Sequence, residues 1–548
     1  MNKATGIGTG IICAAILWSC GKSDEEKPPR AFHLETMKIE GVVNAPSYHH
    51  VDPAPVIALR FSEPVDPAML EANITLRQAT GEAIQLIFTL NQPSLLIEPA
   101  DPLEAFTAYQ LEIRNGLRAL SGNQILTGKV YPVTTGLDPS DKFPRIPDEE
   151  LLTLVQRQTF RYFWEFAHPV SGMARERTTS GNTVTTGGTG FGVMAMIVAT
   201  ERAFITREEA LLQVQKIVSF LEQKATRYHG AFAHWIHGET GATIPFSTYD
   251  NGADLVETAL LFQGLLTARQ YFDRSTAAEN ILREGITRLW KAVEWDWFRK
   301  ENEPVLYWHW SPLYGWQMNM PIAGWNESLI AYVLAASSPT HPITREVYEQ
   351  GWARNGTMVN NGTYYGYRLP LGPALGGPLF FAHYSFLGIR PKGLRDRYAD
   401  YWEQNRNHSL INYRHCVDNP DNYYGYSDHC WGLTASDGDQ GYNAHSPVND
   451  RGVIAPTAAL SSMPYTPEES MRALRFFYYK LGDRLWTDYG FADAFNLSEG
   501  WFDNQQIAIN QGPIILMIEN YRSALLWNLL MNDPDVQAGL AKLDFQWT

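Results

Sequence analysis

Cysteine is scarce in this chain: four residues among 548, at positions 13, 20, 416 and 430. So few exclude a disulfide framework, although Cys416 and Cys430 stand either as one pair or as two thiols. No Cys/His spacing of a zinc site occurs, and His234-x-x-His237 lacks a third ligand, so it reads as structural or sugar-contacting. No Gly-x-Ser-x-Gly elbow and no phosphate loop is present, which removes the commonest signatures of acyl and phosphoryl transfer. No repeating period marks an open solenoid. Positive charge is also short, with 44 Lys and Arg against 59 Asp and Glu for a net charge of −15. That balance disfavours nucleic acid and anionic polysaccharide as ligands. Neutral glycans remain.

The apolar run from Ile7 to Trp18 is too short to be a permanent span and reads as a secretory signal. It ends in Leu17-Trp-Ser-Cys20-Gly, which resembles a bacterial lipoprotein processing site with Cys20 as the lipidated residue. Residues 20–30, including Ser23-Asp-Glu-Glu-Lys-Pro-Pro29, are charged and proline-bearing, a disordered tether similar to the acidic export tag of Bacteroidetes surface lipoproteins. The expected location is therefore a lipid anchor on the outer membrane, on its cell-surface or periplasmic face.

Two domains follow. Residues 31–136 alternate in strand fashion, in Val56–Phe61, Ile74–Arg77, Ile84–Leu90, Ser94–Ile97 and Tyr109–Ile113, with Pro, Asn and Gly between. This spacing predicts a small immunoglobulin-like β-sandwich. A linker is expected over 137–147. From residue 148 to 548 the period becomes helical, with long runs at about 148–167, 189–204, 207–227, 250–272, 277–298, 324–337, 394–406, 467–486 and 508–530. Paired helices in such number suit an (α/α)6 toroid, giving a mainly α fold behind a β-sandwich.

What the helical part has in excess is aromatic and acidic. The chain holds 17 Trp and 27 Tyr, and clusters such as Tyr307-Trp-His309-Trp310 suit stacking on sugar rings. Asp250, Asp254 and Glu257 stand at i, i+4 and i+7, which predicts one carboxylate stripe on a helix. No Lys or Arg relieves it between Phe246 and Ala268. Asp250 or Asn251 acting as an N-cap would explain part of the pattern but leaves Glu257 unaccounted for. A further carboxyl, Glu327, opens an apolar helix beside Trp325 and Asn326, where shielding from water would keep it protonated as a general acid needs. Asp437 sits in a glycine-flanked loop that ends at Tyr442, and Arg175 and Arg177 either hold carboxylates or cap a helix end. That loop has no calcium-binding pattern ending in Glu, and no metal or cofactor is expected. Several carboxyls around a neutral, aromatic pocket are what glycoside hydrolysis requires.

Five stretches in order resemble the glycoamylase-like domain: His168-Pro-Val-Ser-Gly-Met-Ala-Arg-Glu-Arg177, Gly187-Gly-Thr-Gly-Phe-Gly192, Trp431-Gly-Leu-Thr-Ala-Ser-Asp-Gly438, Ala455-Pro-Thr-Ala-Ala-Leu-Ser-Ser462, and Asn510-Gln-Gly-Pro-Ile514 with Glu519-Asn-Tyr-Arg522. Within it, Asp250-x3-Asp254-x2-Glu257 with Glu327 downstream is similar to glycoside hydrolase family 144, which contains bacterial endo-β-1,2-glucanases with an (α/α)6 barrel. The resemblance implies a substrate cleft holding Asp250, Asp254, Glu257 and Glu327, an inverting mechanism and no metal. On this analogy Glu327 is the expected acid and Asp437 the expected base, with Asp254 or Asp250 as competitors. Trp325, Asn326, Arg175, Arg177, His309, Trp310 and Tyr442 complete the expected substrate contacts. A glucoamylase-type or other-linkage hydrolase, or a glycan-capturing lipoprotein without catalysis, are the rival readings.

Overall fold

The computed structural model describes residues 31–548, so the secretory run, Cys20 and the charged tether lie outside the described residues. Two compact units meet in sequence at Thr135 and Gly136.

In the first unit two five-stranded sheets share one core. One sheet takes its strands in the order 42–43, 34–39, 57–61, 94–99, 86–91, and the other in the order 48–51, 129–135, 108–113, 74–78, 83–84. Alternation does the work: Ile57, Leu59 and Phe61 point inward while Arg60 between them is exposed. The run expected as one strand over 84–90 is two. Residues 83–84 pair in one sheet and 86–91 in the other, so the chain changes sheets at Gln85.

The second unit is mainly helical. Its longer helices are α1 (Asp148–Trp164), α2 (Thr186–Glu201), α3 (Arg207–Gln223), α4 (Leu255–Tyr271), α5 (Ala277–Lys291), α6 (Leu329–Ser337), α7 (Tyr401–Asp418), α8 (Pro456–Leu460), α9 (Pro467–Tyr479), α10 (Ala508–Ser523), α11 (Leu525–Met531) and α12 (Pro534–Lys542). Helices α2, α4, α6 and α10 are buried on nearly every side, whereas α3, α5 and α9 bury one face and expose the other. Helix α2 packs on α4 and α10, α4 on α6, and α10 on α1 and α8. The α2–α4 contact brings backbone against backbone. A Cβ on Gly190 would lie 2.3 Å from the Leu260 carbonyl oxygen, and one on Gly264 would lie 2.1 Å from that of Gly190. Only glycine fits there.

Several helix limits differ from the sequence reading. The helix expected from 250 starts at Leu255, because Asp254 is its N-cap, and the one expected from 324 starts at Leu329. The run placed at 394–406 is a helix only from Tyr401, where Asp400 accepts from the amides of Trp402 and Glu403, and it continues to Asp418. Helices α8 and α12 fall outside the expected helical runs, although each opens on a proline at its first turn. Residues 137–147, expected as a linker, are strapped to this unit: the Leu137 amide donates to Tyr424 Oη at 3.0 Å, the Ile146 amide to Tyr479 Oη at 3.0 Å, and Phe143 stacks on Tyr478. Cys416 and Cys430 are separate buried thiols. Among the described residues no helix is long and apolar enough to cross a membrane.

Candidate active site

A cavity of about 410 Å³ opens in the helical unit. Its polar wall comprises Glu176, Arg177, His234, Asp254, Glu257 and Glu327, and its aromatic wall Trp235, Phe246, Trp308, Tyr384 and Tyr442.

Asp250, Asp254 and Glu257 do not form the expected helical stripe. Asp254 is extended (φ −120°, ψ 110°) and Ala253–Asp254 pairs with His309–Trp310 as a two-residue ladder. The three carboxyls therefore converge through a turn, a cap and a first helical turn. Asp254 Oδ1 accepts from the amides of Val256 and Glu257 at 3.0 and 2.9 Å, while Oδ2 meets His234 Nδ1 at 3.1 Å. Burial by itself would raise the Asp254 pKa, but bonds from His234 and His309 outweigh it and hold the carboxyl well below the usual carboxylate range. Asp250, on the preceding turn and behind Asp254, meets His309 Nε2 at 3.4 Å. Its burial, then the Asp254 charge, push it up to about 6. Glu257 Oε2 accepts from the Gly187 amide at 2.6 Å, at the first turn of α2, so a helix N-terminus faces it. Burial, and then the neighbouring Asp254, still raise its pKa against the opposing effect of His234.

His234 lies between these groups, with Nε2 3.9 Å from Glu257 Oε1 and its ring stacked on Phe246 at 4.4 Å. Burial would lower its pKa, yet Glu257, Asp254 and Asp250 together raise it to about 9. The residue is a cation wedged between carboxylates. The sequence shows it only as a structural or sugar-contacting residue, since its partners come from a segment twenty residues away.

Glu327 faces the same cavity from the turn before α6. Desolvation pushes its carboxyl up to about 7, its own backbone amide opposes this, and the Asp254 and Glu257 charges add to it. The shield is not the expected one. Trp325 is buried against Phe386 and Tyr401, and Asn326 accepts from the Ser328 amide within the turn; neither lines the cavity.

On another wall Arg177 bridges two carboxyls, Glu176 at 3.0 Å and Asp437 Oδ2 at 2.8 Å. Asp437 stands behind Arg177 and does not itself line the cavity. It belongs to a group with Asp493 and Asp503, whose ligand atoms lie within 4.8 Å of one another. Burial pushes Asp493 up to about 7 and, with the Asp437 charge, Asp503 up to about 6. Asp503 Oδ2 is buried without a hydrogen-bond partner. No local signal marks Asp493 or Asp503 in the sequence, whereas Glu176 lies inside a stretch singled out for its arginines.

Three other expected contacts are displaced. Arg175 lies over the Phe166 ring at 4.6 Å and donates to the Phe166 carbonyl, so it closes the end of α1. His309 is buried behind Asp254 as its orienting partner, and Trp310 packs on Tyr228, His229 and Trp297. Tyr442 is on the cavity wall as expected. A second grouping with ligand atoms within 4.8 Å, His234 with Asp250 and Asp254, has its His234–Asp254 pair already bonded to each other.

A carboxyl of raised pKa, Glu327, sharing an aromatic hollow with the ionised Asp254 defines a site for acid–base work on a neutral, ring-bearing ligand. Residues 319–534 match the glycoamylase family model ("Putative glucoamylase"), and residues 36–135 match the model of a bacterial Ig-like domain. An endo-β-1,2-glucanase from Chitinophaga pinensis, solved with sophorotriose and glucose, is 54% identical, with a TM-score of 0.72 over 73% of this chain and 99% of that one. A β-1,2-glucanase from Parabacteroides distasonis is 40% identical, with a TM-score of 0.71 over 94% of this chain and 73% of that one. An exo β-1,2-glucooligosaccharide sophorohydrolase (non-reducing end) from Parabacteroides distasonis is 46% identical over 449 residues. That match covers 78% of this chain, which spans 60% of the curated relative's length. The chain belongs to the glycoamylase-like family, in the group typified by glycoside hydrolase family 144, behind an Ig-like domain.

Proposed function

We propose that this protein hydrolyses β-1,2-glucan within the chain, with inversion, releasing sophorose-type oligosaccharides. The observation that carries the proposal is Glu327, an acid pushed up to about 7 on the wall of a cavity whose other carboxyls are paired with His234 or Arg177. Glu327 would protonate the leaving glycosidic oxygen, and Asp437, held behind Arg177 beside Asp503 and off the cavity wall, would take the proton of the attacking water through one intervening water or hydroxyl. Asp254, Glu257 and His234 would bind sugar hydroxyls while Trp235, Phe246 and Trp308 stack on ring faces. The named activities of the relatives support this substrate class.

The helical unit, over 148–548, is proposed to be an (α/α)6 toroid. The packing of α6, α4, α2, α10 and α8 in succession, with α1 outside α10, supports an inner ring and an outer one. The 31–136 sandwich is proposed as a spacer, and Cys20 as a lipid anchor to the outer membrane. Metabolic labelling with a palmitate analogue should mark the wild type and leave Cys20→Ala unlabelled.

The activity is tested by incubating purified protein with linear β-1,2-glucan, β-1,3-glucan and starch. Oligosaccharide products from the first alone, absent with Glu327→Gln, are expected, and NMR of the nascent anomer reports inversion. Faster cleavage of starch would establish the glucoamylase-type reading. Disaccharide alone from the earliest times would make the action exo.

A further inference from the structure

Exposed apolar side chains on a soluble domain call for an occupant when they form one patch. In the helical unit such residues gather beside the cavity mouth. Phe246 on the cavity wall is 49% exposed, Tyr249 38%, Tyr314 43% and Leu313 76%. Met320, 41% exposed, accepts through its carbonyl from the amide of Trp308, another wall residue.

The arrangement is built. Residues 246–250 form a tight turn in which the Phe246 and Ser247 amides both donate to the Asp250 carbonyl. Residues 311–315 form a second, closed by reciprocal Ser311–Gly315 bonds, with the Ser311 hydroxyl accepting from the amides of Leu313 and Tyr314. The short ladder that orients Asp254 and His309 joins the bases of both turns. Gly252 lets them close, since a Cβ there would fall 2.3 Å from the Trp310 carbonyl oxygen and 2.6 Å from Pro312 Cδ. At the tips the rings of Tyr249 and Tyr314 meet edge to face at 5.3 Å. Tyr249 is three positions on from Phe246, so by chain geometry their Cα atoms are at most about 11 Å apart.

We propose that Tyr249 and Tyr314 form a sugar-binding platform outside the cavity that holds the chain of a long β-1,2-glucan while a distant bond is cut. This inference rests on the β-1,2-glucan reading and deepens it toward chain length. Two observations favour a neutral glycan. The rings are exposed planar aromatics, as stacking on sugar faces requires. The Tyr249 ring also sits on the same turn as Phe246, which lines the catalytic hollow, and the Tyr314 ring sits against that turn. Neither tyrosine lines the cavity that holds Glu327, so both act as specificity-determining residues.

The test uses the full chain with Tyr249→Ala, Tyr314→Ala, their combination, and the two Phe replacements. The double Ala variant should raise KM for long linear β-1,2-glucan about tenfold and leave kcat unchanged, because lost stacking weakens binding without touching the acid. Hydrolysis of the shortest oligosaccharide cleaved should stay within about twofold of wild type, and the Phe variants should retain polymer KM. Equal losses on polymer and oligosaccharide, or none on either, would overturn the platform. So would a wild-type dimer that Tyr314→Ala converts to monomer, which would make the patch an interface between copies. If the wild type cleaves neither substrate, the hydrolase reading fails by itself. Retardation in gels containing β-1,2-glucan then decides the platform: retarded wild type with unretarded double variant supports it, and equal mobility refutes it.

Discussion

Replacing Glu327 with Gln should make the protein more stable at alkaline pH while abolishing its activity. A carboxyl moved from 4.5 to about 7 is one whose ionised form the fold disfavours. At about 1.4 kcal/mol per pH unit the full penalty is about 3 kcal/mol, and water in the cavity reduces it to about 1–3 kcal/mol. The sign follows from proton counting. Below 4.5 the group is neutral in both folded and unfolded chains and the penalty is absent. Between 4.5 and about 7 the folded state keeps a proton that the unfolded state has lost, so stability falls as pH rises. Above about 7 the penalty is complete. Gln keeps the shape and cannot ionise. Urea denaturation followed by tryptophan fluorescence should therefore show the variant within about 1 kcal/mol of wild type at pH 5 and about 1–3 kcal/mol above it at pH 8. Equal stabilities at both pH values would refute the claim that Glu327 is held protonated by burial.

Further predictions bear on the neighbouring groups. His234 is raised above its ordinary 6.5 to about 9, so its stabilisation is complete below 6.5 and disappears as pH rises through about 9. His234→Gln should flatten stability over that interval, read by the same titration. Asp254→Ala removes both the cap of α4 and the partner of His234. It should lose about 1 kcal/mol from the cap alone and more from the uncompensated His234, seen as a lower Tm. Gly187→Ala would place a Cβ 2.8 Å from Glu257 Oε2, and its displacement should cost about 1–3 kcal/mol and lower kcat/KM on β-1,2-glucan. Asp437→Asn should reduce kcat by about 10²–10⁴-fold with KM nearly unchanged in steady-state assays, as for loss of a base.

Period and alternation made both units legible, because those patterns are the direct trace of burial: Ile57, Leu59 and Phe61 in the sandwich, and the apolar run of α4. The acidic constellation was legible as residue types, but its geometry was not. Spacing at i, i+4 and i+7 suggested a stripe, whereas Asp254 is a cap whose backbone is pinned by a ladder to His309, fifty-five residues on. Register between such distant segments leaves no local mark. The same reason hid Asp493 and Asp503, and it hid the true setting of His234. Trp325 is the opposite case: it neighbours Glu327 in sequence, but its ring packs on Phe386 and Tyr401.

The most direct test of the whole account is the pH dependence of kcat/KM on linear β-1,2-glucan. With Glu327 as the acid at about 7, the rate should fall about tenfold per pH unit on the alkaline side of that value, and Glu327→Gln should be inactive throughout. A rate that stays level to pH 9, or a Gln variant that keeps wild-type turnover, would contradict it.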